Sequence, residues 1–251
     1  MNVTSAFPAE GTAAAPAAHA APRVLVWDAP LRVFHWLMAA SFAGAWLTAE
    51  SERWRMLHVT LGYTMAGLVA FRLVWGLVGT RHARFASFVR GPRAAGRYLA
   101  SLLRGRPEHH TGHNPAGALA IVALLGTAAL VVASGWATYN ELGGGRLEDL
   151  HEGAANALMA LVVLHLAGVV VSSWLHRENL VAGMVTGRKH GAPDEALRHA
   201  WRSVAALMLA AVLGFWWTQW TAPVSAGASG ERAAAVDKPL TKVKRARRHD
   251  D

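Results

Sequence analysis

The sequence predicts an all-α membrane protein, a transmembrane four-helix bundle followed by a fifth transmembrane helix. Of its 251 residues, 53% are hydrophobic and only 16% are charged, too apolar for an ordinary soluble domain of that length. The apolar residues come in runs of about 20, the length that crosses a hydrocarbon core of about 30 Å. Arginines gather in alternate connections, the pattern of cytoplasmic loops. The formal charge of +9 is therefore read as membrane topology, in contact with the lipid bilayer, and not as a nucleic-acid surface.

Residues 1–22 are rich in Ala and Pro, lack a basic start and have no continuous apolar core. They are expected to be a disordered cytoplasmic leader and not a signal peptide. The bundle is expected over residues 23–190. VLVWDAPLRVFHW leads into a first span at 31–49, with Arg32 at its mouth and His35 one turn inside. A short connection with two acids and two bases precedes a second span at 56–79, where His58 comes almost first. Gly62 and Gly67 remove bulk from this helix, so that a flat cofactor or a neighbouring helix can approach. Arg72, fourteen residues after His58, returns to the same face at the other end, where a buried cation needs an anionic partner.

Residues 80–115 carry Arg81, Arg84, Arg90, Arg93, Arg97, Arg104 and Arg106 against the single acid Glu108, which places this loop inside. The third span, 116–138, has neither charge nor histidine, and Gly126 and Gly135 suit close packing. Glu141, Glu148 and Asp149 face only Arg146 in the next loop, which suits the outside. The fourth span, 151–175, starts at His151 and carries His165 at its middle. Residues 191–220 are a linker and a fifth span, and 221–251 a disordered basic tail. Its cluster KVKRARRHDD starts more than about 15 residues beyond the helix, outside the reach of the charge rule.

There is no cysteine, which excludes disulfides, thiolate-held iron-sulfur clusters and covalent c-type haem. A metal or haem must be held by histidine. His151 and His165 are fourteen residues apart, about 3.9 turns and about 21 Å along one helix face. With the N-terminus cytoplasmic, His35 and His165 fall at the cytoplasmic level and His58 and His151 at the periplasmic level. Two imidazoles facing each other suit the two axial positions of a haem iron in a helical bundle. Filled axial positions would leave such an iron to carry electrons, and two haems at two depths would make a wire across the membrane. Packing histidines, or a histidine-lined zinc or nickel path, are the other readings; the latter lacks intramembrane Asp and Glu. His176, beyond the apolar run, reads as interfacial, and His109, His110 and His113 as a solvated loop cluster.

These residues resemble the bacterial cytochrome b561 family, which includes the b-type cytochrome subunits of nickel-iron hydrogenases. The resemblance runs over residues 24–189 and is carried by VWDAPLRVFHW, LHVTLGY, RLVWGLVGTRHARF, GHNPAGAL and LHEGAANALMALVVLHLAGVVVSSWLHRENLVAGMVTGRK. It implies two non-covalent b haems, with His35 and His165 as iron ligands on the cytoplasmic side and His58 and His151 on the periplasmic side. It further implies a multi-pass protein of the bacterial inner membrane that passes electrons between a periplasmic redox partner and membrane quinone. The partner would be a hydrogenase, another dehydrogenase or a c-type cytochrome. Quinone would sit near the cytoplasmic haem, where Asn114 of HNPAG matches the region concerned, and a haem propionate would serve as the anion for Arg72. The family commonly ends after four spans, so the fifth span and the tail depart from it. A stand-alone quinone-linked oxidoreductase acting on a small species such as superoxide is the alternative.

Overall fold

The computed structural model describes residues 22–89, 91–104 and 114–221. Residues 1–21 of the leader, all of the tail beyond Thr221, and His109, His110 and His113 lie outside the described residues. Met1–Ala211 make one compact unit and Val212–Asp251 a second, described only as the end of the last helix.

The first helix, α1 (Ala29–Thr48), starts where Asp28 caps it: the carboxylate accepts from Leu31 N at 2.8 Å, and Pro30 fits the first turn. A short 3-10 turn, Glu52–Trp54, reverses the chain into α2 (Arg55–Val78), which packs along α1. Near the end of α2 the Phe85 ring packs directly on Gly76, where a Cβ would run into it.

The arginine-rich connection is not wholly loop. It holds α3 (Phe85–Phe88) and α4 (Pro92–Leu103), and α4 packs on the next helix. Ala95 and Tyr98 of α4 are buried while Arg93, Arg97 and Arg104 are exposed. That is the amphipathic division of a helix lying against a bundle. The long α5 (Pro115–Tyr139) is capped by Asn114, whose Oδ1 accepts from Gly117 N at 2.7 Å.

The next helix, α6 (Gly145–Leu175), begins six residues before the apolar run was expected to start. Gly143 and Gly144, at φ 76° and 61°, make the turn that lets it begin there. His151 thus sits well inside a helix. α6 packs mainly on α5, α5 on α2 and α2 on α1, so neither α1 nor α2 lies closely along α6 among the described residues.

After α6 come α7 (Leu180–Thr186), strand β2 (Arg188–His190) and α8 (Arg202–Thr221). Strand β1 (Arg23–Leu25) pairs antiparallel with β2, Val24 opposite Lys189, a small sheet not anticipated from the sequence. Gly187, at φ 80°, closes α7, and its carbonyl accepts from Val26 N and Trp27 N at 2.8 and 3.0 Å.

Among the described residues, four helical segments are long and apolar enough to cross a membrane: Glu52–Val78, Pro115–Tyr139, Gly145–Leu175 and Arg202–Thr221. The 20-residue α1, which carries Arg32 and His35 and was expected as the first span, is not among them. Inside the bundle Met65, Val69, Ala128, Val131, Ala154 and Leu158 form one core. A second core of Val26, Trp27, Leu31 and Trp75 joins the start of α1 to the end of α2.

Candidate functional site

His58 of α2 and His151 of α6 meet across the bundle, with ring centres 6.2 Å apart and planes at 83°. Each ring is oriented by a backbone carbonyl. His58 Nδ1 donates to Ala45 O at 2.9 Å, an acceptor in the last turn of α1, where helix carbonyls lose their own partners. His151 Nδ1 donates to Val131 O at 3.0 Å, with Ser134 Oγ 3.3 Å away. Because a carbonyl only accepts, both protons are on Nδ1, and the Nε2 lone pairs are left for a ligand bond. Gly135 makes this seat possible, since a Cβ there would come within 2.7 Å of His151 Cε1.

His35 of α1 and His165 of α6 are the other two candidate ligands. They lie within electrostatic reach of one another, and His35 Nδ1 is buried without a hydrogen-bond partner. Leu158, seven residues from each histidine of α6, stands in the apolar core between the two levels.

The histidines come in twos. Among the described residues no three His, Cys, Asp or Glu side chains gather as a metal centre. A bare metal ion would want more protein ligands than two, whereas iron already held by four porphyrin nitrogens needs two. Open space is present as well: a Cβ on Gly62, one turn from His58, would meet nothing within 4 Å, whereas Gly67 is exposed on the opposite face of α2.

Arg72 is 2% exposed, with its guanidinium carbon 4.6 Å from the centre of the Phe85 ring. The sequence suggests no acid near it, but Asp28, fully buried, is within its electrostatic reach. That carboxylate is heavily used, since it also accepts from Trp75 Nε1 at 3.1 Å and Thr80 Oγ1 at 2.6 Å. Arg72 Nη1 and Arg32 Nε remain buried without a hydrogen-bond partner. Asn114 caps α5 through its oxygen, which leaves its amide nitrogen as the donor. His176 is turned back on its own helix, Nδ1 donating to Ser172 O at 2.9 Å.

Beside the sheet, Lys189 Nζ lies 3.6 Å from the Glu178 carboxylate, and both side chains are buried. Burial lowers the lysine pKa, and Glu178 opposes that shift. His190 N donates to the same carboxylate at 3.0 Å.

Asp28 and Ser134 are the residues that sequence reasoning missed at this site. The close packing expected at Gly135 is present, against His151, while Gly126 has no such neighbour.

The profile of the prokaryotic cytochrome b561 family matches residues 26–187. The chain is 24% identical to a probable Ni/Fe-hydrogenase B-type cytochrome subunit of Rhodobacter capsulatus, over 66% of this chain and 81% of that one. To the protein so named in Azotobacter vinelandii it is 29% identical, over 65% and 87%. With the one in Azotobacter chroococcum mcd 1 it shares 33%, over 50% and 64%. No solved structure matches the chain. With long apolar helices to span a membrane and imidazoles paired across them, this chain belongs to the prokaryotic cytochrome b561 family, a membrane b-type cytochrome of electron transfer.

Proposed function

We propose that the chain holds two b haems, one between His58 and His151 and one between His35 and His165, and carries electrons across the bacterial inner membrane. The observation that carries this reading is the His58/His151 pair, whose Nδ1 protons are committed to backbone carbonyls and whose ring centres are 6.2 Å apart. One metal atom bonded at about 2 Å to a nitrogen on either side fits that separation.

A b haem held by two histidines would supply one-electron transfer. The residues of this chain hold it in place. Ala45 and Val131 carbonyls orient the rings, and Gly135 lets the His151 ring approach α5. Arg72 and Arg32 offer buried, unsatisfied N–H groups at the His35/His165 end, where a propionate would satisfy them. The core around Leu158 keeps water out between the two levels.

The arginine-rich loop supports a cytoplasmic position for the His35/His165 end. There membrane quinone exchanges electrons, with the Asn114 amide among its donors, and the His58/His151 end faces a periplasmic redox protein. The relatives named above are described as hydrogenase cytochrome subunits, which favours a hydrogenase as that partner over another dehydrogenase or a c-type cytochrome. The same charge pattern supports a cytoplasmic N-terminus, and membership of a prokaryotic family supports the bacterial inner membrane.

Acid-acetone extraction of the purified protein tests the reading: two haems per chain are expected. A count of one or none overturns it. In Asn114→Ala, quinone-analogue binding and haem reoxidation should weaken with haem content intact; wild-type behaviour in both removes Asn114 from the quinone site.

A further inference from the structure

We propose that the groove between α2 and α5 binds one anionic phospholipid, with an acyl chain in the groove and the headgroup on Arg84 and Arg93. The cavity holds about 480 Å³ and is lined wholly by apolar residues, among them Val69 and Leu73 of α2, Phe85 and Val89 at α3, and Val122 and Gly126 of α5. Leu73 and Val122 at its rim are exposed, so in a membrane it opens on the hydrocarbon. A Cβ on Gly126 would meet nothing within 4 Å, which shows how much room that wall leaves.

The lining stretch of α5, from Val122 to Ala129, covers about 10 Å of helix axis. Spread over that length, the volume leaves a cross-section of roughly 50 Å². A helix about 10 Å across does not fit, whereas a single hydrocarbon chain does. The occupant is thus lipid-like, and the basic residues next in sequence to its lining specify its headgroup.

Arg84 immediately precedes α3, whose Phe85 lines the groove, and Arg93 follows Val89 by four residues in sequence. Both side chains are exposed, and neither meets a carboxylate among the described residues. From Thr80 to Arg104 the sequence contains no Asp or Glu at all. Basic side chains at the end of a groove between transmembrane helices recognise a phosphate headgroup.

The test uses the full-length protein, stripped of lipid in detergent and titrated with phosphatidylglycerol or phosphatidylcholine, with bound lipid counted by native mass spectrometry. One phosphatidylglycerol should be retained in preference to phosphatidylcholine. Arg84→Gln and Arg93→Gln should each reduce that preference about five-fold. Gly126→Leu, which fills the groove from α5, should release both lipids and leave the b-haem spectrum unchanged. Equal retention of the two lipids, an unchanged preference in the arginine variants, or full retention in Gly126→Leu would each overturn the proposal. So would recovery of quinone in place of phospholipid from the freshly purified protein.

Discussion

His151 illustrates how a ligand is built from its neighbours. Its Nδ1 proton is taken by Val131 O, and the close approach this needs is open only because residue 135 is glycine. Gly135→Ala places a methyl 2.7 Å from the ring, and the ring must move. The expected outcome is loss or loosening of the His58/His151 haem alone, read as a fall in extractable haem from two toward one with the other spectrum unchanged. Arg72 and Asp28 make an opposed pair near His35. Arg72→Leu removes a positive charge and should lower the midpoint potential of the neighbouring haem, while Asp28→Asn should raise it. A unit charge about 10 Å away at an effective dielectric near 20 shifts a potential by on the order of 50 mV. A redox titration in which both variants match wild type removes the pair from the haem's surroundings. The spacing of His151 and His165 was legible because helix geometry alone converts fourteen residues into depth. Ser134, Asp28 and the partner of Gly135 were not, because each matters through a residue that only the folded chain brings near.

At the scale of elements, the cap formed by β1, β2 and Gly187 holds the start of α1 against the segment that follows α6. Gly187 has φ 80°, and a Cβ there would lie 2.7 Å from Trp27 O and 3.0 Å from Arg32 Nη1. Gly187→Ala should cost at least about 1–2 kcal/mol from backbone strain alone, seen as a lower unfolding midpoint in detergent. Lys189 in β2 gives this cap a pH dependence. Its pKa is lowered in the folded chain, so between that value and the ordinary lysine value the unfolded chain binds more protons and stability rises with pH. The unfolding midpoint of wild type relative to Lys189→Met should therefore increase across that window; parallel curves would contradict it. None of the cap was legible, since three-residue strands leave no periodicity and pair across more than 160 residues. The long apolar helices were legible because a membrane demands continuous runs. The early start of α6 was hidden by its polar first turns, and α4 by the arginines that made its sequence read as loop.

For the whole molecule, the fold class was visible in composition and charge distribution, because a bilayer constrains both more tightly than water does. The pairing across helices was less open to inspection: it depends on orientation, which the arginines supply, and on which helices face each other. α6 carries one histidine of each pair, and α1 and α2 carry the others, so each level joins a different helix to the same one. The most direct measurement is therefore haem content in the four single His→Ala variants and in their double combinations. His35→Ala, His165→Ala and the double variant of both should all lose the same haem and keep the other, as should the His58 and His151 set for the second haem, while a double variant taken across the levels should lose both. If His35→Ala and His165→Ala remove different haems, or if a cross-level double variant retains one, the two-level pairing is contradicted.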